Sequence, residues 1–174
     1  MKRLLLLSIF LCSSLCGYAA VPLTGAFGLK FGEVFTPNDS NTQGAVRTDE
    51  RARLLAYRFQ PAAQNRHFIE YWVYITPVTH RIYRIVAVAR ANTEQLAIEQ
   101  QNAILTVARD RYDGDFSIHD RWVNQGTRSV TVRPPLPQPD GSVLWQVAYT
   151  DQALGGRIFA ANNGMAEEVD ETGL

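Results

Sequence analysis

His119 and Asp120, with Asp115 and Ser117 just upstream, come nearest to catalytic side chains in this chain. A hydroxyl nucleophile, an imidazole base and an orienting carboxylate are the parts of a hydrolytic site. Their spacing argues against it, because neighbours in an extended segment point to opposite sides and Asp120 then does not orient His119. No Gly-x-Ser-x-Gly turn occurs to lift a serine into a site. Asp110, Asp113, Asp115 and Asp120 offer oxygen ligands in a short span, but the run lacks the order of a calcium loop and its closing Glu. His67, His80 and His119 fall in separate segments with no metal-ligand spacing, so neither a metal nor a cofactor is expected. Glu33 and Glu70 remain open as a carboxylate pair for glycoside cleavage, though no spacing singles them out.

Binding chemistry has better material. Phe68 to Ile75 is rich in β-branched and aromatic residues, and simple alternation places Ile69, Tyr71, Val73 and Ile75 on one side. The other side then carries Phe68, Glu70, Trp72 and Tyr74, with Ile82, Arg84 and Val86 beside them on the returning strand. Aromatic and arginine side chains interleaved on a sheet face have the composition of a protein interface, since each buries much area at low entropic cost. Phe68, Trp72, Tyr74 and Arg84 are therefore the candidate binding residues, unless a second helix or the proline-rich loop covers them as ordinary core. Between Arg47 and Arg90, eight arginines face three acids, Asp49, Glu50 and Glu70, whereas Glu167, Glu168, Asp170 and Glu171 close the chain. The arginine pole can take an anionic partner, pair with that acidic tail, or form a solvated face.

The elements that must hold these residues follow from periodicity. Phe27, Leu29 and Phe31 at a spacing of two, among Gly25, Gly28 and Gly32, give a short strand or extended arm. Thr36 to Gln43 is dense in turn formers and reads as a loop. Strands are expected at Arg53 to Phe59, Phe68 to Ile75, Ile82 to Ala89, Thr127 to Arg133 and Val143 to Tyr149, with Pro134 to Pro139 as a rigid loop. Asn92 offers a helix N-cap, and Leu96, Ala97, Gln100, Ala103, Ile104, Val107 and Ala108 recur at helical intervals up to Tyr112. A short helix follows an Asp151 cap and fades by Gly164. Runs of hairpins rather than β-α alternation predict an α+β domain: one antiparallel sheet of five to six strands, one main helix on one face and a short C-terminal helix.

The first twenty residues join Lys2 and Arg3 to the apolar run Leu4 to Leu11 and the small residues Ser13, Ser14, Gly17, Ala19 and Ala20. This is the pattern of a secretory signal peptide, with cleavage after Ala19 or Ala20. Leu15 and Ser13 are wrong neighbours for lipidation at Cys16. Removal of residues 1–20 takes both cysteines away, so the mature chain has no disulfide and no transmembrane anchor. It leaves a domain over 21–165, a tail over 166–174 and a slightly acidic balance that disfavours nucleic acid. The arm from Phe27 then lies near a free terminus, where it can add to a sheet edge.

The segment Phe27-Gly-Leu-Lys-Phe-Gly-Glu-Val-Phe35, the run Ile75-Thr-Pro-Val-Thr-His-Arg-Ile-Tyr83 and the closing Asp170-Glu-Thr-Gly-Leu174 resemble a family of small exported proteins of Gram-negative bacteria. The likeness spans most of the mature chain and implies export and a single domain. It brings no catalytic residues. Relatives carry a cysteine in the helix where Leu96 and its neighbours stand here, so a disulfide present in relatives would be absent. The reading is a periplasmic or secreted, non-enzymatic protein that binds a protein or envelope component through the aromatic and arginine sheet face. The alternatives are a small secreted hydrolase with its site at His119, Asp120 and Asp115, and a structural envelope subunit that forms obligate oligomers.

Overall fold

The computed structural model describes residues 20–38, 42–49, 54–62 and 64–156, with the backbone alone for most of 42–49. The expected signal segment, except its last residue, lies outside the described residues, as does the acidic tail. Two four-stranded meanders are joined by one helix. The first comprises β3 (Thr42–Asp49), β4 (Leu54–Phe59), β5 (Phe68–Ile75) and β6 (Ile82–Ala91); α1 (Glu94–Tyr112) follows. The second comprises β7 (Asp115–Ser117), β8 (Trp122–Gln125), β9 (Arg128–Pro137) and β10 (Val143–Asp151). The last strands of the two meanders pair at the centre, giving one antiparallel sheet in the order β3-β4-β5-β6-β10-β9-β8-β7. No described helix is long and apolar enough to cross a membrane.

The α+β expectation holds, but the sheet has eight strands rather than five or six. Three strands lacked a hydrophobic signal: β3 begins in the polar stretch read as a loop, and β7 and β8 have three and four residues. The proline loop also belongs to a strand. Pro134 and Pro135 lie opposite Trp145 where the β9–β10 register shifts, a bulge at which missing N–H groups cost little.

The helix starts one residue later than expected: Thr93, in extended backbone, is the N-cap, and its Oγ1 accepts from Leu96 N at 3.2 Å. It ends at Asp113, whose left-handed backbone lets its N–H donate to the Arg109 carbonyl. The buried stripe is Ala97, Gln101, Leu105, Ala108 and Tyr112, rotated from the expected one, while Leu96 and Val107 are exposed. Gln101 explains the rotation. Its Nε2 donates to the Arg133 carbonyl at 2.8 Å and its Oε1 accepts from Arg121, so a buried amide anchors the helix to β9.

The N-terminal arm lies over the helix-covered face and does not extend a sheet edge. It forms a small hairpin, β1 (Gly25–Ala26) and β2 (Leu29–Lys30), and continues to a bridge between Val34 and Arg81. Leu23, Phe31 and Phe35 enter the main core with Ile85, Trp145 and Val147. Polar clamps hold the arm: Leu23 N donates to Gln125 Oε1 at 2.6 Å, and Arg128 donates to the Leu23 carbonyl at 3.1 Å while pairing with buried Asp151 at 2.8 Å. Asp151 also accepts from Ala153 N and Leu154 N, capping the helical turn at 152–156 as expected; the rest of that expected helix lies outside the described residues.

Candidate functional site

Directly paired residues on neighbouring strands point to the same side, so the register defines the sheet face opposite α1. One row across it is Arg58, Trp72, Val86, Ala148, Thr131 and Trp122; the next includes Ala56, Tyr74, Arg84 and Thr150. Ala56, Trp72, Val86 and Ala148 form a second, smaller apolar cluster with Tyr74 and Val88 packed against it. Three of the four expected binding residues therefore share this face. Tyr74 and Arg84 are cross-strand partners, with the guanidinium 5.4 Å from the ring centroid. Trp72 is only 5% exposed and anchors the cluster, its Nε1 donating to Glu70 at 3.1 Å. Tyr74 and Arg84 are half-buried, so each keeps part of its side chain accessible on this face.

Phe68 is on the other side. A bulge between Phe68 and Glu70 breaks the alternation, leaving Ile69 exposed and turning Phe68 into the main core against Phe27, Tyr71 and Trp145. A second irregularity between Tyr74 and Ile75 does the same for Ile82, which packs in the main core rather than beside Arg84.

The electrostatics of this face are uneven. Arg58 pairs with Glu70 at 3.6 Å. Arg84 has no such partner among the described residues, and its Nε is buried without a hydrogen bond. Burial lowers its pKa from the ordinary guanidinium value, and Arg133 adds like-charge repulsion, which the Tyr74 and Tyr83 phenols oppose. Burial also pushes Tyr83 up to about 12, with Arg84 pulling the other way. Arginine remains charged under all working conditions, so the face presents a partly desolvated cation with no anion beside it among the described residues.

The expected hydrolytic residues are not assembled. His119 and Asp120 are exposed in the β7–β8 turn, and Asp115 begins β7 opposite Asn124. Ser117 Oγ donates to Asp120 Oδ2 at 2.7 Å and accepts from Asp120 N at 3.0 Å, a local lock for the turn. Among the described residues no hydrogen bond joins His119 to a carboxylate, and no cluster of three metal-ligating side chains occurs.

Sequence reasoning missed a second concave site, between α1 and the β1–β2 hairpin. It encloses about 320 Å3 and includes Phe27, Phe68, Ile104, Val107, Tyr112 and Tyr149. Phe27 adopts a left-handed backbone at φ 52°, unusual for a bulky residue, and its ring meets Phe68, Tyr71 and Tyr149 at 5.0–5.6 Å. The segment read as one short strand or extended arm turns at Phe27-Gly28 into a hairpin, and the meeting of helix and arm had no sequence signal. No family model, curated protein or solved structure matches this chain.

Proposed function

We propose that this is an exported, non-enzymatic binding protein whose outer sheet face, centred on Tyr74 and Arg84, receives an acidic protein surface. The observation that carries the reading is Arg84: a desolvated guanidinium, without a carboxylate among the described residues, beside the further cation Arg133. An acidic partner would supply a charge-assisted hydrogen bond that the described residues leave unmade at Arg84 Nε. Tyr74 supplies adjoining aromatic area, and tyrosine and arginine are the types that dominate protein interfaces. A protein surface suits this broad sheet face, whose two rows cross several strands. Export rests on the charge and apolar pattern of the first twenty residues.

The test compares the wild-type protein with Arg84→Met and Tyr74→Ser as baits on envelope extract, followed by calorimetric titration of each partner recovered. A partner that binds saturably, weakens with salt and loses at least tenfold in affinity to Arg84→Met supports the reading. Equal affinity for wild type and Arg84→Met overturns it. Trp72→Ala is a poor probe, because removing a residue 5% exposed attacks the small core before it attacks a surface.

A further inference from the structure

We infer that the groove between α1 and the N-terminal hairpin is a second binding site, for a small amphipathic carboxylate with an aliphatic body. It is independent of the outer sheet face, because Tyr149 and Phe68 belong with the main core on the α1 side. Two cavities, of about 320 and 400 Å3, flank Phe27 and share Arg111, Tyr112 and Tyr149. Each is within the range of small-molecule pockets. The first has an apolar wall from Phe68, Ile104 and Val107, and Val107 is 64% exposed although it stands on a helix packed against a core.

Both cavities are lined by three side-chain donors, Tyr112, Tyr149 and the exposed Arg111. Among the described residues, the Tyr112 and Tyr149 hydroxyls have no hydrogen bond, and Arg111 has no ion pair, its guanidinium lying 5.7 Å from the Tyr112 ring centroid. Tyr149 is partly buried, and desolvation, reinforced by the Tyr112 phenol, raises its pKa while Arg111 acts in the opposite sense. Both phenols therefore stay protonated and available as donors at neutral pH. None of the residues lining either cavity is acidic. Donors without a partner among the described residues, one of them a cation, beside an apolar groove wall suit an anion on an apolar tail. A carboxylate suits two neutral phenols and one guanidinium, and an aliphatic tail suits the wall of Ile104 and Val107.

The test is calorimetric titration of the purified protein with decanoate, decanol and acetate, beside sedimentation with phosphatidylglycerol vesicles. Decanoate is expected to bind at one site, with decanol at least tenfold weaker and acetate silent. Arg111→Gln should weaken decanoate at least tenfold. Tyr149→Phe should weaken it about fivefold while leaving the melting temperature unchanged, since the hydroxyl it removes bonds none of the described residues. Equal binding of decanol and decanoate, or undiminished binding by Arg111→Gln, overturns the inference. Retention on vesicles without decanoate binding also overturns it, in favour of a lipid surface.

Discussion

Replacing Arg84 by Met should make the protein more stable. The native guanidinium buries Nε without a hydrogen bond, and an unsatisfied buried donor costs about 1–3 kcal/mol. The substitution gives up the contact with the Tyr74 ring, worth about 0.5–1 kcal/mol at a partly exposed site. It also relieves repulsion from Arg133, and a thioether of similar length packs against Tyr74 and the Val86 cluster. The net expectation is a gain of about 1–2 kcal/mol, the usual sign when a poorly paired buried charge becomes apolar. For a domain of this size that raises Tm by about 2–8 °C. Urea unfolding followed by tryptophan fluorescence measures the free energy, and calorimetry the Tm. A loss of more than 1 kcal/mol would refute the reasoning, because it would show that Arg84 serves the fold. A gain in stability with a loss of binding is the pattern of a residue kept for function at the expense of the fold.

Three further outcomes follow from the geometry. Gly114→Ala should cost about 1–3 kcal/mol in urea unfolding, since a Cβ there meets the Asn124 carbonyl oxygen at 2.1 Å and backbone must shift. Asp151→Asn should cost about 2–3 kcal/mol in the same assay, because it leaves Arg128 without its buried partner and weakens the tether of the arm at Leu23. Alkaline unfolding should begin above pH 10: Tyr83 is raised to about 12 and Tyr149 is also raised, so their contribution is whole below the unfolded value of 10.0 and is lost as pH rises through the folded ones. Absorbance at 295 nm should then show these phenols ionising together with unfolding, whereas a single titration of all tyrosines near 10 in the folded protein would contradict the burial described.

The five strands with a hydrophobic or aromatic period and the long helix were legible, because side-chain alternation and capping act over a few residues. What was not legible involves contacts distant in sequence. The bulge at Phe68–Glu70 reverses the facing of Phe68, and local alternation carries no sign of it. Gln101 sits at the centre of the helix stripe because Arg121 and the Arg133 carbonyl satisfy it, twenty and thirty-two residues away. For the outer face, alternation placed Tyr74 and Arg84 on one side, as the register does, but the burial of Trp72 depends on the packing of four strands. The α1 groove was invisible, since Phe27, Ile104 and Tyr149 come from three separate parts of the chain.

The most direct test of the outer face as an acidic-partner site is an NMR titration of labelled protein with hexaglutamate, reading the arginine Nε–H signals. The account predicts that Arg84 shifts saturably and first, that exposed Arg66 and Arg90 shift little, and that the effect fades with salt. Shifts spread evenly over the exposed arginines, with Arg84 unmoved, would contradict it.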